Sequence, residues 1–345
     1  MGSITIKDVA EVAGVSIQTV SRVVNNKSEL SPQTRLHVQE VIEQLGYRPN
    51  VLARSLVKQR SRTIGVTIPD IVNPFFAEIV LGIQERSQEL GYTALQISTT
   101  ENLDQERRVL NQLEDNQVSG VISISSRLPE EELVTLFKRQ DALVMINRSI
   151  AHSDCGEINT ENIPGVKTAM AHLLKDHRQK IAHLSGPSHS WNGRERLEGY
   201  KRALAEAGLP YEESLVMVYP PEVNETSRQP YGHVMGAIDI GEIQTRSLLQ
   251  ARPDVDAIIC FNDLMAIGAI RACQAAGINV PQRVAIIGID NILMGQFITP
   301  SLTTLSISKY EIGAKAAEMI IQKAEHETPL EKLTFEYELV LRASA

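Results

Sequence analysis

The first 46 residues carry apolar positions at the spacing of three short helices. Thr5 is an N-cap candidate, and an apolar stripe at i, i+3, i+4 and i+7 follows it before Gly14. Ser16 caps a second helix after a tight turn, and a third begins at Ser31-Pro32 and ends at Gly46. The inward stripes are Ile6, Val9, Ala10 and Ala13; Val20, Val23 and Val24; and Val38, Val41, Ile42 and Leu45. Three such helices, with a three-residue turn between the first two, predict a helix-turn-helix.

From Thr63 onward, continuous apolar runs alternate with amphipathic stretches. The runs form two successive sets: 64–68, 92–97, 121–124 and 142–146, and then 181–184, 215–218, 257–260 and 284–287. Apolar strands that alternate with helices are typical of parallel sheets covered on both faces. The pattern therefore predicts an α/β fold with two lobes of parallel sheet. Two lobes create a cleft between them. Ligands of such sheets bind beyond the carboxyl ends of the strands, so we expect the ligand-binding residues at those ends.

The predicted second helix has the polar outer face that base recognition requires. In a helix-turn-helix this helix lies in the major groove, with its N-terminal side chains on the base edges. Gln18 suits adenine, Arg22 suits guanine, and Ile17 offers apolar contact to a thymine methyl. The alternative is that the three helices form only a small core with an ordinary polar surface. We assign these residues of the segment to DNA binding: Thr5, Ser16, Ile17, Gln18, Thr19, Ser21, Arg22 and Asn25.

Charge separates the two parts of the chain. Residues 1–62 contain nine basic and five acidic side chains, a net charge of +4, within a chain of net charge −8. A small cationic segment on an anionic body indicates that the front end meets a polyanion. A solvated basic tail would carry the same charge, but the helical periodicity favours DNA binding.

Composition excludes several classes of protein. With 345 residues, 43% hydrophobic and 22% charged, the chain is typical of a globular protein of two or three domains, neither fibrous nor disordered. No apolar run reaches the length of a spanning helix and no signal-peptide pattern begins the chain, so we expect a cytoplasmic protein without membrane contact. The three cysteines, Cys155, Cys260 and Cys273, lack CxxC spacing, and we expect no metal and no cofactor.

A long motif near the N-terminus resembles a known family. Residues 4–25 read ITIKDVAEVAGVSIQTVSRVVN and resemble the headpiece signature of the lactose-repressor/galactose-repressor (LacI/GalR) family of bacterial transcription regulators. The resemblance implies a periplasmic-binding-protein-like core whose chain crosses between the lobes near Glu161, Ile292 and Ile321. The implied parts are a headpiece at 1–46, a hinge segment at 47–62, one lobe at 63–161 with 292–321, and a second lobe at 162–291 with 322–345.

The hinge segment also has a physical interpretation. Asn50 caps a predicted helix over 51–58, and a helix this short is marginal in water unless something packs on it. We therefore expect it to fold only on DNA. The resemblance implies that two such helices enter the minor groove, with Leu56 wedged between base pairs and Ala53 allowing close approach. The alternative for Leu56 is an ordinary linker leucine.

Polar and aromatic side chains follow several of the predicted strands. Aromatic faces with carboxylate, amide and guanidinium groups suit a pyranose, whose C–H face stacks and whose hydroxyls form hydrogen bonds. Trp191, the only tryptophan, is expected to stack on such a ligand. The candidate effector-binding residues are Asp70, Asn73, Phe75, Phe76, Asn147, Arg148, Trp191, Arg194, Asn262 and Asp290.

The resemblance adds roles for some of these residues. It implies that Arg194, Asn262 and Asp290 bind the ligand, and that one of the two adjacent phenylalanines forms an aromatic floor. The alternative for the phenylalanine pair is plain core. Asp263 is better explained as a helix N-cap than as a ligand. The stretch 220–240 is expected to form a flap or loop near the cleft.

Together these features predict a sequence-specific transcriptional regulator, most simply a repressor. It would bind a palindromic operator in double-stranded DNA as a homodimer, because nothing resembles the extra C-terminal segment that makes the lactose repressor a tetramer. A small effector in the cleft, with a saccharide as first choice, would control its affinity.

Three alternatives stay open on the sequence. The effector is instead a nucleobase or a phosphorylated metabolite acting as corepressor, since Arg148 and Arg194 suit an anion. The chain is instead a sugar-binding module without DNA function. An enzyme is disfavoured because GxGxxG after a strand, GxxxxGK[ST], HExxH and GxSxG are all absent from the sequence.

Overall fold

The structure is a computed structural model that describes residues 4–24, 30–47, 61–100, 102–139, 142–151, 153–219 and 232–345. The chain divides into two compact units, residues 1–61 and 62–345. Asn25 and the predicted hinge helix with Asn50, Ala53 and Leu56 lie outside the described residues. Across the described ranges, no helix has both the length and the apolar content that a membrane crossing requires.

The first unit contains the three helices that the periodicity predicts. They are α1 (Ile6–Val12), α2 (Ile17–Val24) and α3 (Pro32–Leu45). Val9, Val20 and Val38, one from each helix, are fully buried in a single apolar cluster. Ser31 caps α3 by accepting a backbone N–H at 3.2 Å, and Gly46 ends it in the left-handed conformation, at φ 63°. The helical part of the fold prediction is therefore confirmed.

The first lobe of the second unit is built, within the described residues, on a six-stranded parallel sheet of order β11-β5-β4-β3-β1-β2. Its strands are β1 (Thr63–Ile68), β2 (Thr93–Ser98), β3 (Val121–Ile124), β4 (Leu143–Ile146), β5 (Gly156–Thr160) and β11 (Lys332–Phe335). Its helices are α4 (Pro74–Glu89), α5 (Leu103–Asp115), α6 (Glu130–Arg139) and α12 (Lys309–His326). The central strands β3 and β4 are buried along their whole length because helices cover both faces.

The second lobe repeats this plan, again within the described residues, with sheet order β12-β10-β9-β8-β6-β7 and β12 antiparallel to β10. Its strands are β6 (Ile181–Leu184), β7 (Val216–Met217), β8 (Ala257–Cys260), β9 (Ala285–Ile289), β10 (Thr303–Ser306) and β12 (Glu338–Val340). Its helices are α7 (Asn162–Lys175), α8 (Trp191–Glu206), α9 (Gly232–Ala251), α10 (Asp263–Ala275) and α11 (Met294–Phe297). The predicted α/β architecture with two lobes is confirmed.

Two of the predicted crossing points between the lobes are wrong. Strand β10 pairs with β9, so the chain returns to the first lobe at residues 307–308 rather than near Ile292. Strand β11 pairs with β5, so the last crossing lies at residues 336–337 rather than near Ile321. The predicted segments 292–321 and 322–345 therefore do not bound the lobes. Both strands have four residues, of which one is apolar in β10 and two are apolar in β11, so neither forms a continuous apolar run.

The second half of the stretch 220–240 is also corrected. Residues 220–231 lie outside the described part of the chain, but α9 begins at Gly232. Two glycines beyond this stretch, one on each helix, allow α9 to pack closely on α10. A Cβ atom at Gly241 would lie 2.2 Å from the carbonyl oxygen of Met265, and one at Gly268 would lie 2.0 Å from that of Ile238.

Candidate DNA-binding surface and ligand cavity

Helix α2 presents the surface that we predicted for base recognition. Val20 and Val23 are buried in the headpiece core, whereas Gln18 and Arg22 are exposed and Ile17 keeps 45% of its surface exposed. An exposed apolar residue beside an amide and a guanidinium is the chemistry that reads a thymine methyl, adenine and guanine. Ser21 lies beside them and is partly exposed.

The hydroxyl residues assigned to DNA also cap helices. The Oγ of Ser16 accepts the backbone N–H of Thr19 at 3.1 Å, and the two hydroxyl oxygens lie 2.9 Å apart. Thr5 donates its backbone N–H and its hydroxyl to the carboxylate of Asp8, at 2.7 and 2.8 Å. These hydrogen bonds, the backbone one above all, lower the pKa of Asp8. The Thr5 cap therefore fixes the start of α1, and the Ser16 cap fixes the start of α2 directly after the turn.

A cavity lies between the two lobes of the second unit. Its volume is about 140 Å³, whereas one water molecule needs only about 10–15 Å³ of such space. Its walls follow β1, β3 and β4 in the first lobe and β6, β8 and β9 in the second, which is the carboxyl-end edge of both sheets. Eight of the ten predicted effector residues line it: Asp70, Asn73, Phe75, Phe76, Asn147, Trp191, Asn262 and Asp290.

The wall from the first lobe is organised around the start of α4. The Oδ1 of Asn73 accepts the backbone N–H of Phe75 at 3.0 Å and so caps the helix. The rings of Phe75 and Phe76 meet edge to face, with their centroids 5.3 Å apart. Phe75 is buried in the apolar core and also lines the cavity. The aromatic pair is therefore both core and cavity wall.

Asn147 is the most unusual side chain of this wall. It follows β4 with φ 57°, a conformation that Asn tolerates better than most residues, and only 2% of its surface is exposed. Among the described atoms, neither its side-chain oxygen nor its nitrogen has a hydrogen-bond partner. Leaving both groups unpaired is unfavourable, so a ligand that offers a donor and an acceptor here would gain affinity.

A loop that we did not predict completes this wall. Ser125, Ser126 and Arg127 follow β3 and line the cavity. The buried carboxylate of Glu106, on α5, accepts the hydroxyl of Ser126 at 2.5 Å and the backbone N–H of Arg127 at 3.2 Å. Burial raises the pKa of Glu106. This carboxylate therefore fixes the loop from behind.

The wall from the second lobe begins with two helix starts. Trp191 is the first residue of α8, which Ser190 caps. The Oδ1 of Asn262 accepts the backbone N–H of Met265 at 2.9 Å and caps α10, which commits the oxygen to the helix. The cap that we predicted at Asp263 is therefore one residue earlier.

Asp263 instead braces the strands behind the cavity. Its carboxylate accepts the backbone N–H of Ile292 at 2.8 Å and the hydroxyl of Thr304 at 2.6 Å. Burial raises its pKa to about 6. Asp263 is absent from the described lining of the cavity, in agreement with a structural role.

Two predicted arginines lie outside the cavity lining. Arg194 is exposed, donates to the carbonyl oxygen of His189 at 2.9 Å, and stacks over the Trp191 ring at 5.9 Å. Arg148 donates to the carbonyl oxygen of Leu128 at 3.2 Å. The described lining contains neither of them.

The arginine that does line the cavity is Arg196, which our sequence analysis missed. Its side chain keeps 2% of its surface exposed, and its guanidinium stacks on the Phe261 ring at 4.8 Å. The sequence held a usable signal, because Arg196 stands four residues before the buried Tyr200 and seven before Ala203. Helical periodicity therefore turns Arg196 inward and Arg194 outward.

Arg196 joins the cavity to two crossings between the lobes. Its Nη2 lies 3.5 Å from the Oδ1 of Asp290, and the same nitrogen donates to the hydroxyl of Tyr337 at 3.0 Å. Its Nε donates to the Oδ1 of Asn162 at 2.9 Å. Asn162 follows the first crossing, and Tyr337 lies in the last. Burial raises the pKa of Asp290 to about 8, although Arg196 opposes the shift.

These two units define a class of protein: a helix-turn-helix DNA-binding unit followed by a two-lobed core with a cavity between its lobes. The sequence matches the family described as bacterial regulatory proteins, lacI family, over residues 5–50. It matches the periplasmic binding protein-like domain over residues 170–345. With the relatives below, these matches show that the chain belongs to the lacI family of bacterial regulatory proteins.

The chain is similar over nearly its full length to named proteins of this kind. The ribose operon repressor of Halalkalibacterium halodurans is 33% identical, over 97% of this chain and 94% of that protein. The repressor PurR of Photobacterium profundum is 32% identical, over 99% of this chain and 98% of that protein. The lac repressor dimer, solved with operator and the anti-inducer ONPF, is 25% identical with a TM-score of 0.86, covering 99% of both chains.

Proposed function

We propose that this protein is a transcriptional repressor that binds a palindromic operator as a homodimer and is controlled by a saccharide. The observation that carries the effector part of the proposal is one cavity that holds the buried Arg196–Asp290 pair and the amide of Asn147, which has no hydrogen-bond partner among the described residues. Because buried polar groups line this site on both lobes, a ligand that binds to groups of both lobes stabilises the closed arrangement of the lobes.

The chemistry of the walls favours a saccharide. Phe76 and Trp191 supply aromatic faces from opposite lobes, and such faces suit the C–H surface of a sugar ring. A guanidinium, a carboxyl and an amide suit hydroxyls, each of which both donates and accepts. A similar chain is named for the ribose operon. We therefore place an uncharged monosaccharide first.

One observation favours an anionic effector as the second candidate. Burial lowers the pKa of Arg148, and the positive charge of Arg194 lowers it further, so these two cations influence each other near the cavity. The buried Nε of Arg148 has no hydrogen-bond partner among the described atoms. A phosphorylated metabolite would neutralise both guanidinium groups. A nucleobase is the third candidate.

Effector control requires that the ligand prefer one arrangement of the lobes. A ligand held by Asn147 on one lobe and Asp290 on the other has its full set of contacts only when the cleft is closed. The differential contact free energy is what shifts the equilibrium between lobe arrangements, and thereby the affinity for DNA.

A thermal-shift screen of the full chain tests the effector. The panel contains D-ribose, D-glucose, D-galactose, cellobiose, hypoxanthine and glucose 6-phosphate. A ligand at one hundred times its Kd adds about 2.7 kcal/mol to the free energy of unfolding. We expect a monosaccharide to give the largest shift and Asp290→Asn to remove it. A shift with the phosphate alone would transfer the proposal to the second candidate.

The DNA part has its own test. Duplexes selected from a random library should yield a site whose footprint has two-fold symmetry, because a symmetric dimer requires it. A footprint without that symmetry would contradict the homodimer. Binding to random DNA should weaken steeply with salt, since phosphate contacts release counterions.

A further inference from the structure

A buried lysine connects the two walls of the cavity from behind. Lys309 is the first residue of α12, immediately after the second crossing at 307–308, and 4% of its side-chain surface is exposed. Its Nζ donates to the carbonyl oxygens of Asp290 at 2.7 Å and Asn291 at 3.2 Å. It also forms an ion pair with the Oε2 of Glu78 at 2.9 Å. An ammonium has three donors, and these three partners match them.

The three partners belong to different lobes. Asp290 and Asn291 follow β9 in the second lobe, whereas Glu78 lies on α4 in the first. Helix α4 also carries Phe75 and Phe76 of the cavity wall. Lys309 therefore contacts the segment that carries the cavity carboxylate and the helix that carries the aromatic wall.

The segment that Lys309 holds is strained. Asp290 has φ 122° and Asn291 has φ 51°, so two consecutive residues other than glycine adopt positive φ. Such conformations persist only when the surroundings determine them. The amide side of the turn is held by Thr304 and Leu305, which accept the N–H groups of Asn291 and Asp290. The carbonyl side is held by Lys309.

We propose that Lys309 is a positioning residue for the effector cavity: it fixes the turn that presents Asp290, and it links movement of that turn to α4. The first part concerns the turn alone, and the second part rests on the proposed effector. Burial lowers the pKa of Lys309 to about 8, so the ammonium keeps its charge at neutral pH.

Hydrogen exchange tests the first part without any effector. The amides of Asn291 and Ile292 are hydrogen-bonded in the folded chain. In Lys309→Met we expect their exchange at pH 7 to rise about tenfold or more, because the carbonyl side of the turn loses its donor. The milder Lys309→Gln should give a smaller rise, of about threefold.

A control lies on the same helix. Lys315 is exposed and pairs with Glu318 at 2.7 Å, so Lys315→Met removes an ion pair without touching the turn. In Lys315→Met, the amides of residues 291 and 292 should exchange at the wild-type rate. The proposal would be overturned if these amides exchanged in Lys309→Gln at the wild-type rate. It would also be overturned if Lys315→Met raised their exchange as much as the Lys309 variants do.

Ligand binding tests the second part. The probes are D-ribose, D-glucose, D-galactose and cellobiose, added to the full chain with a duplex selected from a random library. For the sugar that binds, Lys309→Gln should raise the Kd about tenfold. Glu78→Gln should keep the Kd within about threefold but reduce the change in DNA affinity that the sugar causes.

The outcomes separate this inference from the proposed function. If no sugar binds the wild-type chain, the saccharide proposal fails while the exchange experiment still decides the role of Lys309 at the turn. If a sugar binds and both variants keep the wild-type Kd and the wild-type effect on DNA affinity, the link through Lys309 is wrong.

Discussion

The guanidinium of Arg196 and the carboxyl group of Asp290 face each other at 3.5 Å, and the two side chains keep only 2% and 7% of their surface exposed. Arg196 also donates to Asn162, to the Phe261 carbonyl and to Tyr337, so each of its three guanidinium nitrogens has a hydrogen-bond partner. One buried side chain thus supports both the cavity and two crossings between the lobes.

Arg196→Lys should therefore be strongly damaging although it keeps the charge. An ammonium on a flexible stem does not reproduce the planar fork, and several buried acceptors would lose their donors. We expect the free energy of unfolding to fall by about 3 kcal/mol and the thermal shift with a sugar to disappear. Denaturant unfolding followed by Trp191 fluorescence measures the first effect.

Arg194→Lys is the matched control. This arginine is two residues away on the same helix but exposed, so its replacement should change stability by less than about 0.5 kcal/mol. A larger loss of sugar binding in Arg194→Lys than in Arg196→Lys would show that the resemblance had indicated the right residue and that the periodicity argument fails.

Gln18→Ala should reduce sequence specificity more than overall DNA affinity. We predict that the exposed amide on α2 reads a base edge, so its loss should cost about 1–3 kcal/mol on the selected operator and little on random DNA. Binding titrations on both duplexes at one salt concentration measure the difference. Gln44→Ala, an exposed glutamine at the end of α3, should leave both affinities unchanged.

His183→Phe should flatten the acid dependence of stability. His183 is fully buried on β6, its ring stacks on Tyr200 at 5.3 Å, and burial lowers its pKa from 6.5 to about 4. Between pH 6.5 and pH 4 the imidazole binds a proton in the unfolded chain but not in the folded chain. The contribution of His183 to the free energy of unfolding is therefore fully present above pH 6.5 and is lost as the pH falls toward 4. The loss amounts to roughly 3 kcal/mol.

Comparing the wild type with His183→Phe isolates the contribution of His183 to the pH dependence of stability. Asp263 and Asp290 have raised pKa values, near 6 and 8, and they stabilise the folded chain as the pH falls, against the effect of His183. Both carboxyls remain in the variant, so the difference in stability between wild type and His183→Phe should shift by about 3 kcal/mol from pH 7 to pH 4. A difference that does not vary with pH would contradict the buried neutral imidazole.

The features that the sequence predicts correctly are those that depend on neighbouring residues in the chain. The headpiece and most of the strands could be predicted because their apolar positions repeat locally, as at Val9, Val20 and Val38. The two different sheets that β10 and β11 join could not be predicted, because distant strands decide the pairing and at least half of the residues in each strand are polar. Helical periodicity predicts that Arg196 faces inward, whereas the motif resemblance implied Arg194 as the ligand-binding arginine. The burial of the Asn147 amide without a hydrogen-bond partner in the described part of the chain is visible only in three dimensions.

Gly268→Ala should be among the most destabilising single-methyl changes in the second lobe. Its Cβ would lie 2.0 Å from the carbonyl oxygen of Ile238 and 2.7 Å from the backbone nitrogen of Glu242, so α9 and α10 would have to move apart. Overpacking of this kind costs about 3 kcal/mol. Gly236→Ala on α9 is the control, because no atom of the described residues packs within 4 Å of its Cβ, and a helix gains up to about 1 kcal/mol from alanine. Urea unfolding followed by Trp191 fluorescence should therefore move in opposite directions for the two variants. Equal shifts would mean that the α9–α10 contact tolerates a methyl group and that these glycines do not set the separation of the helices.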